Sequence, residues 1–145
     1  MISLLLTLFL SPLAPAKFDD AALKSRLEES AQKKTKLLIY TWSPQMPISV
    51  KGLTELMATA GERNFKVLAL LDGGANLAAA KQVAKEKKLP ASVLERDESL
   101  ELRKLGSHVH FPAYILVNGG AFTGGLLPGY RSPAALKSLT EEKFR

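Results

Sequence analysis

"LLIYTWSPQMPISVKGL", Leu37 to Leu53, is the stretch on which the fold turns. Its first six residues, Leu37–Trp42, form a continuous apolar run of strand length. Such a run predicts a strand covered on both faces. The chain then bends at Pro44 and Pro47, and Ile48 to Glu62 predicts a helix with Val50, Leu53, Met57 and Ala60 inward. Pro47 stands near the first helical position, where proline is tolerated because its missing N–H would have had no partner. The corner holds a methionine and a serine, with no obvious reactive group.

Working outward, the neighbouring segments alternate in type. Phe18 to Lys34 predicts a helix, with Asp19 and Asp20 at its positive end, Lys33 and Lys34 at its negative end, and Leu23, Leu27 and Ala31 on one face. "FKVLALL", Phe65–Leu71, predicts a second buried strand closed by Asp72-Gly73-Gly74. Asn76 to Lys88 predicts a helix with Leu77, Ala80 and Ala84 inward, stopped by Pro90. "ASVL", Ala91–Leu94, predicts a short strand, and Glu98–Leu105 a short helix ended by Gly106. "AYILV", Ala113–Val117, is a third apolar strand, and Asn118-Gly119 predicts a tight hairpin turn whose central residues need positive φ. "AFTGG" follows as its antiparallel partner. Ser132-Pro133 then opens a last helix running to about Phe144, with serine as N-cap and proline at the first helical position. Strands separated by helices imply parallel pairing, and the terminal hairpin adds an antiparallel edge.

The first sixteen residues, "MISLLLTLFLSPLAPA", are of another kind. They carry an apolar run from Ile2 to Leu10, no charged side chain, and the small-x-small triplet Ala14-Pro15-Ala16. This predicts a signal peptide over residues 1–16 and a single domain over 17–145, placing the protein in the periplasm or secreted. No Lys or Arg precedes the apolar run, so an uncleaved N-terminal anchor is the alternative, and only then would the membrane be a partner. The +6 net charge falls wholly on residues 17–145 and reads as a solvated surface, and no nucleic-acid motif accompanies it. Across 145 residues there is no cysteine, so the chain has no thiol–disulfide chemistry of its own. "DGGAN" lacks the spacing of a phosphate-binding loop and reads as a turn.

This element order, the Trp-x-Pro corner and the proline ahead of the hairpin resemble the thioredoxin-like family, in particular its exported thiol-reductase and peroxiredoxin-related branch. The resemblance covers about residues 18–143 and implies a three-layer α/β/α sandwich with a mixed central sheet. The family pattern Trp-x-x-x-Cys-x-x-Cys, laid on Trp42 without gaps, puts Met46 at the nucleophilic cysteine and Ser49 at the resolving one. Pro112 in "HFPAYILV" matches the family's cis-proline. Both thiols are missing, so no catalytic residue is expected, and a Ser49 nucleophile would need a base that the corner does not supply.

What the resemblance leaves is a surface. It implies an apolar groove beside the cis-proline, formed by Trp42, Met46, Pro47, Ser49, Phe111 and Pro112, that pairs with an extended protein or peptide partner in the cell envelope. No cofactor is expected. The alternative is a copper-handling protein: His108 and His110, two apart in "SHVHFP", would point to one side of an extended segment and join Met46 as a soft site. A third reading is a residual oxidoreductase that relies on its partner's thiols.

Overall fold

The computed structural model describes residues 17–145; the predicted leader, residues 1–16, lies outside them. Seven strands and five helices run in the order β1 (Lys17–Phe18), α1 (Asp20–Lys33), β2 (Lys36–Trp42), α2 (Pro47–Thr59), β3 (Lys66–Leu71), α3 (Leu77–Glu86), β4 (Arg96–Asp97), α4 (Leu100–Leu105), β5 (Ala113–Asn118), β6 (Ala121–Phe122), β7 (Leu127–Pro128) and α5 (Pro133–Lys143). The strands lie in one sheet in the order β1-β4-β3-β2-β5-β6, with β7 also paired to β5. β2 and β3 are parallel, whereas β2 and β5 are antiparallel, so the sheet is mixed. No helix among the described residues is long and apolar enough to cross a membrane.

The apolar run of β2 is continuous because the strand feeds two cores. Leu38, Tyr40 and Trp42 pack with residues of α2, α3 and α5 on one face of the sheet. Leu37 and Ile39, whose side chains alternate to the other face, pack with Leu23 of α1 and Leu102 of α4. Helices therefore cover both faces, in three layers.

Several local expectations are corrected. Phe18 is a strand residue, buried and paired beside Asp97, because the Asp19 side chain accepts the Ala22 N–H at 2.9 Å and starts α1 after it. Ala91–Leu94 is a 3-10 turn entered from Pro90, and the strand follows it at Arg96–Asp97. On α2 the buried positions are Ser49, Val50, Gly52, Leu53 and Leu56. Met57, half-buried, packs against the core as expected, whereas Ala60 begins a separate 3-10 turn, Ala60–Glu62. The hairpin turn sits one residue later than predicted: Asn118 is the last residue of β5, opposite Ala121, and Gly119 and Gly120 carry the positive φ, 58° and 84°. Gly120 packs closely on α1, where a Cβ would lie 2.6 Å from the Ala31 Cβ.

Candidate functional site

Strand pairing builds the site. The β2–β5 ladder ends at Thr41 opposite Ala113, which sets the corner after Trp42 beside the segment leading into β5. The Thr41 hydroxyl straps that segment. It donates to the His110 carbonyl at 2.8 Å and accepts the Ala113 N–H at 3.0 Å, bridging Phe111 and Pro112. The Phe111–Pro112 peptide is cis. The Pro112 carbonyl is taken by the Gly129 N–H at 3.0 Å, but among the described residues neither the N–H nor the C=O of Phe111 makes a hydrogen bond.

The corner itself is held by Ser49. Its hydroxyl accepts the Ser43 N–H at 3.0 Å and directs its one proton toward the carbonyls of Ser43, at 2.9 Å, and Met46, at 2.7 Å. Ser49 is fully buried, and among the described residues its hydroxyl is hydrogen-bonded to backbone alone, with no acid or base. This hydroxyl is a clamp. Beneath it, the Tyr40 hydroxyl donates to the Ser49 carbonyl at 2.6 Å, and burial raises the Tyr40 pKa. The Tyr40 ring meets Tyr114 edge-on at 5.2 Å, and the Tyr130 hydroxyl donates to the Glu55 carboxylate at 2.7 Å. That bond pushes the Tyr130 pKa up to about 12.

The residues expected to line one groove divide into two sets. Met46, Pro47 and, half-buried, Phe111 reach the surface. Trp42 and Ser49 do not: both are wholly buried, and the Trp42 indole N–H donates to the Val93 carbonyl at 2.8 Å. Trp42 is thus a core residue that ties the corner to the 3-10 turn, because an indole buried on both faces needs that acceptor. Pro112 is buried as well. Exposed apolar residues that sequence reasoning passed over are Ile48, 41% exposed, and Val109, 58% exposed; Met46 itself is 44% exposed. The sequence puts Ile48 in the helix, and its exposure follows only from which face α2 buries.

His108 and His110 do not lie in an extended segment. Residues 106–109 form a turn that continues from α4, with the Val109 N–H on the Gly106 carbonyl at 3.2 Å, so alternation does not aim the two imidazoles to one side. Both are exposed, and among the described residues no group of three His, Cys, Asp or Glu side chains could hold a metal.

One buried carboxylate had no signal in the sequence. Asp97, 3% exposed, accepts the Ser107 hydroxyl and the Ser99 N–H, the latter at 3.1 Å. Burial pushes its pKa up against those hydrogen bonds. The Ser99 and Ser107 groups that meet it flank α4, so its enclosure depends on how that helix folds back on β4.

This architecture is that of the thioredoxin fold. No family model matches the sequence, and no curated protein matches it. Solved structures do match in shape. A thiol:disulfide interchange protein of the thioredoxin family from Chlorobium tepidum is 13% identical, with a TM-score of 0.55 over 79% of this chain and 83% of that one. The pneumococcal exposed lipoprotein thioredoxin from Streptococcus pneumoniae is 18% identical, with a TM-score of 0.57 over 80% and 89%. A protein from Neisseria meningitidis described as a putative thioredoxin is 20% identical, with a TM-score of 0.54 over 76% and 75%. At these identities the likeness is one of fold, and this chain carries the fold with no cysteine in it.

Proposed function

We propose that this protein is a redox-inactive thioredoxin-fold protein of the cell envelope that binds an extended segment of a protein or peptide partner beside Phe111 and Pro112. One observation carries the reading: the apolar side chains of Met46 and Ile48 stand exposed in the corner that follows the Thr41 end of the β2–β5 ladder, and Phe111, two residues before the Ala113 that pairs with Thr41, has no backbone hydrogen-bond partner among the described residues. An extended peptide laid along Phe111 would pair with that backbone, and its side chains would cover the apolar ridge. The flexible thioether of Met46 suits a surface that adapts to its partner. Export is supported by the apolar run Ile2–Leu10 and by Ala14-Pro15-Ala16, and one of the similar structures is an exposed lipoprotein.

The test is direct. Peptides selected from a random library against the purified protein should shift the backbone amide signals of Met46, Ile48 and Phe111. Met46→Asp should keep the melting temperature and weaken those peptides about tenfold or more, since it sets a charge on a desolvated contact. Peptides that bind elsewhere, or equally well to the variant, would sink the proposal. Insulin reduction should be absent, as the chain has no thiol to supply.

A further inference from the structure

The opposite end of the sheet holds a feature that the corner does not explain. β2 begins at Lys36 and ends at Trp42, so its two ends lie roughly 20 Å apart at the rise of an extended strand. At the Lys36 end a cleft of about 750 Å³ opens between α5 and the connection from α2 to β3. Its size lies in the range of small-molecule pockets, about 300–1,000 Å³.

The cleft has an apolar floor and a basic rim. Phe65 and Phe144 form the floor, their rings tilted at a centroid distance of 5.6 Å, and the lining surface is mainly apolar. Lys36, Arg63 and Lys137 stand on the rim, and an adjoining shallow cleft adds Lys34 and Lys66. Glu62 and Glu141 are the carboxylate side chains in the lining. Among the described residues none of these five cations is ion-paired. Arg63 is already fixed in place: its Nε–H donates to the Thr59 hydroxyl at 2.9 Å, and its guanidinium sits 5.6 Å from the Phe65 ring centre. A merely solvated surface would scatter these charges, whereas here they converge on one apolar concavity. The positive field at its mouth favours an anionic group, and the floor favours hydrocarbon.

We propose that this cleft binds an amphipathic anion, a single apolar chain ending in a phosphate or carboxylate, taken up as a monomer from solution. The head group lies against Arg63 and Lys137, and the chain covers Phe65 and Phe144.

Calorimetric titration of the purified protein with dodecyl phosphate below its micelle concentration tests this. Saturable binding at about 100 μM or tighter is expected, weakening as salt is added. Phe65 and Phe144 amide signals should move with it. R63E/K137E should weaken binding about tenfold or more, because it reverses the rim. Should that variant melt well below the parent, A134F, which fills the cleft from exposed Ala134 without changing charge, should abolish binding instead. Equal affinity for dodecyl maltoside would show that charge is not read, and equal affinity for inorganic phosphate would show that the floor is not used. Either result overturns the proposal. So would binding to phosphatidylglycerol vesicles alone, with none to the monomeric ligand, or unchanged affinity in the variants.

Discussion

The Ser49 hydroxyl and the Ser43 backbone hold each other from both sides. Ser43 donates its N–H to the Ser49 oxygen at 3.0 Å, and that oxygen lies 2.9 Å from the Ser43 carbonyl. The Ser49 side chain thus fixes the loop between β2 and α2. Ser49→Ala would strand buried backbone groups of the corner and is expected to cost about 1–3 kcal/mol. Chemical denaturation should show the loss, with no change in the slope of the transition.

Gly52 and Tyr40 are coupled across α2. A Cβ at Gly52 would collide with the Tyr40 hydroxyl, which is itself held by the Ser49 carbonyl at 2.6 Å. Gly52→Ala should destabilise by about 1–3 kcal/mol through overpacking. Tyr40→Phe alone should cost about 1 kcal/mol for the lost hydrogen bond. The double variant should be more stable than the sum of the two predicts, since removing the hydroxyl makes room for the methyl. Strict additivity would show that the collision is relieved elsewhere.

Asp97 should leave a signature in the pH dependence. Burial raises its folded pKa above the ordinary carboxylate value of 3.8, so the folded state holds the proton more tightly than the unfolded chain. The sign follows: the contribution is fully present below 3.8 and is lost as pH rises through the folded value. Asp97→Asn keeps an acceptor for the Ser99 N–H and removes this titration. The stability of the variant relative to the parent should therefore rise from acid toward neutral pH, as read from thermal melts across that window. A flat difference would mean that Asp97 titrates as it does unfolded.

The register of the corner can be tested chemically. Met46 ends the loop as the N-cap of α2, and Ser49 lies three residues on, inside the first turn. M46C/S49C should form an internal disulfide on mild oxidation, visible as loss of both free thiols in a mass measurement. The exposed thiol at the helix N-terminus should react with iodoacetamide near neutral pH, because that position lowers a thiol pKa. Failure to close the disulfide in a folded variant would show that the corner no longer has the geometry of a redox pair.

Much of the fold was written in local sequence. The apolar runs of β2, β3 and β5, the Ser132-Pro133 helix start and the absence of cysteine were all legible, because periodicity and capping act over a few residues. The hairpin turn shows where local reading stops. Asn118-Gly119 is the stronger turn dipeptide, yet Gly119-Gly120 makes the turn, with Gly120 set against Leu27 and Ala31 of α1 where a Cβ would not fit.

The site divides in the same way. Composition alone determined that this chain brings no thiol to the corner, and the order of its segments pointed to a corner after Trp42 and a proline just ahead of β5. Only the tertiary structure decided that Trp42 and Ser49 are buried supports while Met46 and Ile48 face outward, and that Asp97 is enclosed. It alone gathered Lys36, Arg63 and Lys137 around one cleft. Exposure and charge convergence depend on which faces pack together across the sheet, and residues distant in sequence settle that.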